Sequence, residues 1–267
     1  MTKYRINKTR FVDQTKTVSF TFDGKKYHGF EGDTLASALL SNGIHLVGRS
    51  FKYHRPRGIM SCGSEEPNAI CQINDNTDLT EPNVRATEIE LYEGLKASSQ
   101  NCWPSLNFDI GGINNLISPF IPAGFYYKTF MWPKSFWKKI YEPLIRISAG
   151  LGKSPTQPDP DIYDHKHEHC DVLVIGGGIS GIISAKIAAK NNLKTILIED
   201  KNILGGSTIY QNNKNFIIDN KKSNEWLMDE ISELEKLDNL TIKTRTSLAA
   251  FHSYNYLLAK ENVSDHL

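Results

Sequence analysis

The sequence predicts two units of different class in one chain of 267 residues, an α+β module followed by an α/β module. Three observations carry that reading. Residues 17–30 hold two alternating runs around Asp23-Gly24, with a short helical run behind them. Residues 170–199 run strand, glycine turn, helix, strand and terminal acid. Between them, residues 96–164 crowd aromatic side chains among Pro and Gly and keep neither period.

In the first module, Val18, Phe20 and Phe22 fall on one face of a strand, and Lys25–Phe30 returns from the Asp-Gly turn as its hairpin partner. Asp33-Thr34 supplies an N-cap, Leu35, Ala38 and Leu39 recur at helical spacing, and Asn42-Gly43 supplies the stop. Val84–Tyr92 alternates and reads as the strand that closes the sheet. Hairpin, helix, irregular Gly/Pro/Cys segment and closing strand is the order of a ferredoxin-like β-grasp module, placed at residues 1–95.

Residues 96–164 form a connecting arm. Within 128–153 there are six basic residues against the single acid Glu142. A basic, aromatic stretch suits single-stranded nucleic acid or a membrane-surface helix. The whole chain, however, has 31 Lys+Arg against 30 Asp+Glu. That balance favours an arm whose aromatics anchor on another protein surface, with neither nucleic acid nor membrane as partner. No stretch approaches the roughly 18 to 20 apolar residues of a transmembrane helix, and the N-terminus lacks the apolar run of a secretory signal. Four scattered cysteines without a C-x-x-C pair read as reduced thiols. A cytoplasmic chain is expected. His165, His167 and His169 would share one side of a strand, but no distant ligand presents itself, so they read as a polar lead-in rather than a metal site.

The α/β module, residues 165–267, carries the chemistry. The apolar run Cys170–Ile175 is a buried parallel strand, and Gly176-Gly177-Gly178-Ile179-Ser180-Gly181 is a G-x-G-x-x-G turn opening a helix. Gly176 permits the turn, Gly178 lets backbone approach a pyrophosphate, and Gly181 lets the helix pack on the strand. The helix N-terminus offers N–H groups to phosphates. Lys194–Ile198 forms the next strand, and Glu199 at its end can accept the ribose hydroxyls. An acid there repels a 2′-phosphate and favours NAD or FAD over NADP, leaving those two open. The candidate cofactor-binding residues are Gly176, Gly177, Gly178, Ser180, Gly181, Glu199, Asp200 and Gly206, the last in a second glycine pair, Gly205-Gly206. None is assigned a catalytic role. Trp226–Leu237 reads as an amphipathic stretch, and Thr241–Thr246 and Ser253–Ala259 as strands. This Rossmann-type unit is expected to be incomplete at its C-terminus and the chain a fragment, inactive alone.

Three segments, with the glycine fingerprint, carry a resemblance. They are Gly48-Arg-Ser-Phe-Lys-Tyr-His-Arg-Pro-Arg-Gly58, Gly63-Ser-Glu-Glu-Pro-Asn-Ala69 and Pro122-Ala-Gly-Phe-Tyr-Tyr-Lys-Thr-Phe-Met-Trp-Pro133. Along nearly its whole length the chain resembles the N-terminal part of the alpha subunit of heterotetrameric sarcosine oxidases. Related chains occur in opine and proline dehydrogenases and hydrogen cyanide synthase. In the cluster-bearing relatives a C-x₄-C-x₂-C run holds a two-iron, two-sulfur cluster. Aligned on Arg57-Gly58, the ligand positions here are Ser61, Glu66 and Ala69, with Cys62 and Cys71 off register. The resemblance therefore implies a β-grasp domain without iron–sulfur cluster. It also implies oxidative demethylation of sarcosine to glycine, with oxygen as electron acceptor and tetrahydrofolate as one-carbon acceptor. Beta, gamma and delta subunits are the implied partners. FAD, FMN and tetrahydrofolate are expected elsewhere in the complex, and NAD at the glycine fingerprint, with FAD as the alternative. Two other readings stand beside this one: a subunit of an opine or proline dehydrogenase or hydrogen cyanide synthase-like flavoenzyme, and a non-catalytic assembly module.

Overall fold

A computed structural model describes residues 4–5, 11–74, 79–116, 118–120, 124, 130–159, 161–210 and 216–263. Most of the segment 122–129, which helps carry the resemblance, and the terminus 264–267 lie outside the described residues, as does the end of the Pro155–Asp161 linker at Pro160. The chain divides into two compact units, Met1–Asp161 and Ile162–Leu267.

The first unit is built on a five-stranded mixed sheet. Its strands are β1 (Asp13–Phe22), β2 (Lys25–Glu31), β5 (Ile70–Ile73), β6 (Glu81–Arg85) and β7 (Lys96–Ser99), in the order β2-β1-β7-β5-β6. Two short strands, β3 (Gly48–Arg49) and β4 (Pro56–Arg57), pair antiparallel outside it. The β1–β2 hairpin turns on Asp23 and Gly24 with φ of 47° and 73°, both in the left-handed region that this turn requires. Phe20 and Phe22 are buried as the alternation predicts, and Val18 packs at the edge of the same core.

Helix α1 (Leu35–Ser41) lays Leu35, Ala38 and Leu39 onto that core. Thr34, the second residue of the predicted cap pair, is its N-cap. The Thr34 hydroxyl accepts from Ser37 N–H, and the Ser37 hydroxyl accepts from Thr34 N–H. Asp33 sits below, accepting from Phe30 N–H, the Ser37 hydroxyl and the Arg5 guanidinium.

The predicted strand Val84–Tyr92 is corrected. Only Glu81–Arg85 pairs in the sheet; the chain then turns, and the Ala86 and Ile89 carbonyls accept from the Ala36 and Leu35 amides. Those amides have no acceptor within their own helix, so the segment's backbone caps α1 instead of extending a ladder. The strand that joins both halves of the sheet is β7, parallel to β1 and antiparallel to β5. It lies beyond residue 95, where the sequence reading ended the module.

Part of the predicted arm is likewise tied to the first unit. The resemblance motif at 48–58 clamps residues 101–112. Arg49 donates to the Leu106 and His54 carbonyls, and His54 Nδ1 lies 2.7 Å from Asp109 Oδ2. Further on, Lys153 is held by Gln72 on both its N–H and its carbonyl, and Asn83 donates to the Leu151 carbonyl. Between these anchors, Trp137–Tyr141 forms a π-type turn that continues into helix α2 (Glu142–Ser148). Trp132, Leu144 and Ile147 there are exposed. No helix among the described residues is long and apolar enough to cross a membrane.

The second unit contains a parallel sheet of β8 (Val172–Ile175), β9 (Thr195–Ile198) and β12 (Leu240–Lys243), ordered β12-β9-β8. Helix α3 (Ile179–Lys190) links β8 to β9, and helix α4 (Ser223–Leu234) precedes β12. Ile182 and Ala185 of α3, Trp226, Leu227 and Leu234 of α4, and Val174 and Leu197 of the sheet share one core. Lys186 joins the two helices through Glu230 and Glu233. The central strand β9 is buried along its whole length, whereas β8, at an edge among the described strands, buries only Val174 and leaves Ile175 exposed.

Short strands β10 (Ile217–Ile218) and β11 (Lys221–Lys222) pair before α4. β13 (Thr246–His252) and β14 (Tyr256–Glu261) form an antiparallel ribbon that turns at Tyr254 and Asn255. Three strands thus stand where the sequence suggested two: Thr246–His252 is a strand of its own, and Ser253–Asn255, expected to start a strand, is the turn of the ribbon. His165, His167 and His169 lie in exposed coil, not along a strand edge, and no group of three metal-ligating side chains occurs among the described residues.

Candidate functional site

The glycine turn follows β8 directly. Gly176 has φ of 94°, a conformation that side chains rarely adopt, and its N–H donates to the Ile198 carbonyl. A Cβ on Gly181 would collide with the Gly176 carbonyl oxygen, so glycine here sets how closely α3 approaches the turn. Gly178 is the N-cap of α3, and Ile182 N–H makes the helix's first bond, to the Gly178 carbonyl. The amides of Ile179, Ser180 and Gly181 therefore have no acceptor within the helix, and no acidic residue occupies its first turn.

Space at the turn is uneven. A Cβ on Gly178 or Gly176 would meet nothing within 4 Å, whereas one on Gly177 would collide with Leu204. The second glycine pair closes over the turn from the other side. Gly205 N–H donates to the Gly177 carbonyl at 2.7 Å, and a Cβ on Gly206 would stand 3.0 Å from Gly178 Cα. The structure thus brings Gly176, Gly177, Gly178, Gly181, Glu199 and Gly206 together. Ser180 and Asp200 sit at its edge with exposed side chains.

Glu199, at the end of β9, is 6% exposed and accepts from the Gly177 and Lys201 amides. Burial raises its pKa above the ordinary glutamate value, the neighbouring Asp200 adds to this, and the two amides only partly offset them. Two contributors were not singled out from the sequence. Leu204 packs on the turn, and Thr208 Oγ1 is buried without a hydrogen-bond partner among the described residues. Their signal was the position directly around Gly205-Gly206. An adenine dinucleotide fits the residues present. The space at Gly178 and the free-ended helix suit a polyanionic ligand.

The cysteine-bearing loop of the first unit offers a different donor set. Cys71 lies on β5 in the core, where burial pushes its thiol up to about 12, and Cys62 is exposed. A two-iron, two-sulfur cluster needs thiolates converging on one point, and Ser61, Glu66 and Ala69 provide none. The residues present do not fit the cluster.

Comparison with known proteins matches the two ends of the chain to two families. Residues 15–102 match the family model of 2Fe-2S iron-sulfur cluster binding domains, and residues 171–260 match that of FAD-dependent oxidoreductases. The chain is 49% identical over its 267 residues to sarcosine oxidase subunit alpha of Rhizobium meliloti, of which it covers 27%. It is 27% identical over 258 residues to the same subunit from a Corynebacterium species, covering 96% of this chain and 22% of the relative. The chain thus spans about a quarter of the length of the curated relatives it matches. Its fold is also similar to the crystal structure of L-proline dehydrogenase from P. horikoshii, with a TM-score of 0.52 and 21% identity over 92% of this chain and 37% of that one. A ferredoxin-like domain of the 2Fe-2S family is here followed by an oxidoreductase domain of the FAD-dependent family, and over its whole length the chain corresponds to an N-terminal portion of sarcosine oxidase alpha subunits.

Proposed function

We propose that the chain is the N-terminal portion of the alpha subunit of an amine-oxidising complex of the sarcosine oxidase type. Its second unit is a Rossmann-type dinucleotide site, and NAD is its occupant. The observation that supports this most directly is the turn itself. It combines open space at Gly178, three amides at the start of α3 and a buried carboxylate at Glu199. The amides and helix dipole bind the pyrophosphate. Glu199 accepts the ribose hydroxyls, and Gly206 lets the second loop pass close by. Asp200 and Ser180 border the site. An adenine dinucleotide is a hydride carrier when bound, but no residue of this segment is proposed to act on the amine.

Oxidative demethylation of sarcosine, with tetrahydrofolate as one-carbon acceptor, is assigned to the assembled complex with beta, gamma and delta subunits, where FAD and FMN reside. Exposed Trp132, Leu144 and Ile147 support a protein-facing role for the arm. A cytoplasmic location accompanies this reading. The family match to FAD-dependent oxidoreductases favours flavin as the second reading for the same turn.

Mass spectrometry of the small molecule released from the purified native complex tests the assignment. NAD is expected. FAD in its place moves the site to the flavin class, and the absence of any nucleotide leaves an assembly module. Amine-dependent hydrogen peroxide formation with the other subunits present then tests the enzymatic role.

A further inference from the structure

The loop that joins β4 to β5 closes around one side chain. Glu66 is 1% exposed, and its carboxylate accepts four backbone N–H groups. Oε2 takes those of Met60 at 2.8 Å and Ser61 at 2.6 Å, and Oε1 those of Asn68 at 2.8 Å and Ala69 at 3.1 Å. The rest of the loop is tied to this centre. Glu66 N–H donates to the Gly63 carbonyl, the Thr87 hydroxyl donates to the same oxygen, and Arg85 donates to the Glu66 carbonyl. Two of the four donating amides belong to Ser61 and Ala69, and the carboxylate belongs to Glu66. These are the three positions that align with the thiolate ligands of cluster-bearing relatives. Ala69 is fully buried, and Ser61 Oγ is buried without a hydrogen-bond partner among the described residues, so both positions face inward.

We propose that the Glu66 carboxylate has taken the place of the iron–sulfur cluster as the anion around which this loop folds. A cluster and a carboxylate present the loop with the same demand, a negative group that accepts hydrogen bonds from surrounding amides. Here the demand is met from within the chain, so the loop holds its shape without iron, and the amides of Met60, Ser61, Asn68 and Ala69 are already taken. Burial by itself would raise the Glu66 pKa. The four amides outweigh it and hold the carboxyl below the ordinary glutamate value, as a centre built for an anion requires.

Hydrogen exchange on the intact protein tests the proposal. The amides of Met60, Ser61, Asn68 and Ala69 are expected to be protected in the wild type. In Glu66→Gln they should exchange at least about tenfold faster, because the carboxamide NH₂ turns a donor toward two of them. Glu66→Asp, one methylene shorter, should lose protection on only one side of the loop. Anaerobic treatment of the wild type with iron and sulfide should give no sulfide-to-iron charge-transfer absorption and no labile sulfide. A stoichiometric cluster would overturn the proposal, as would wild-type amides exchanging like open coil or unchanged protection in the Gln variant. Should Glu66→Gln fail to fold, the wild-type exchange pattern and the Asp variant decide.

Discussion

Glu66 and Glu199 are both buried carboxylates that accept backbone amides in a turn beside a sheet, yet they are driven in opposite directions. Glu66 receives four amides and is held below the usual glutamate range; Glu199 receives two, sits beside Asp200 and is held above it. Burial works against ionisation in both, so the number of donors and the sign of the neighbour decide the outcome. The first carboxylate has both oxygens engaged, each by two backbone amides. The second borders a glycine turn where the amides of Ile179, Ser180 and Gly181 have no acceptor within their own helix. The two carboxylates thus differ in how fully the surrounding amides satisfy them.

The largest effect is expected at Gly181 in the glycine turn of the second unit. Gly181→Ala forces a Cβ against the Gly176 carbonyl and is expected to cost about 3 kcal/mol or more, read as a lowered unfolding midpoint of the second unit. Glu66→Gln should destabilise the first unit by a similar amount, about 2–4 kcal/mol, since donors lose their acceptor in a buried place. Urea titration followed by exchange at β5 and at β9 separates the two effects by unit.

Gly178→Ala sharpens the contrast. Its φ of −73° suits alanine and its Cβ meets nothing within 4 Å, so stability should change by less than about 0.5 kcal/mol. Dinucleotide affinity, measured by calorimetry, should nevertheless fall about tenfold or more, because the methyl group would occupy the open space that the proposed site offers to a pyrophosphate.

The pH dependence of the two carboxylates should run in opposite senses. Glu66, with its folded pKa lowered, contributes stability above the unfolded glutamate value that is lost as pH falls through the folded one. Glu199, with its folded pKa raised, contributes stability that is full below the unfolded value and lost as pH rises through the folded one. Acidification from neutrality should therefore weaken protection at β5 before it weakens protection at β9, and the reverse order would contradict the pairing. A small, salt-dependent effect is expected at Lys186, which pairs with Glu230 and Glu233 across α3 and α4. Lys186→Met should cost about 0.5–1 kcal/mol at low salt and less at high salt.

Local pattern made the hairpin, α1 and the strand–turn–helix–strand of the second unit legible. Alternation around Asp23-Gly24, the Thr34 cap and the glycine fingerprint each act over a few residues. The strand Lys96–Ser99 was not legible, because Ala97 is its sole apolar residue and its place follows from pairing with Thr21 and Phe22 far away in sequence. Val84–Tyr92 misled for the converse reason. Its alternation is real, but its carbonyls are claimed by the unsatisfied amides of α1.

At the sites the same divide holds. The sequence by itself determined which residues form the glycine turn and that Ser61, Glu66 and Ala69 bring no thiolate, because residue identity decides whether a Cβ, a charge or a sulfur is present at all. Only the tertiary structure decided which amides the Glu66 carboxylate accepts and how Glu199 is held. A carboxylate's state depends on the amides folded around it, and those come from positions that no local spacing announces.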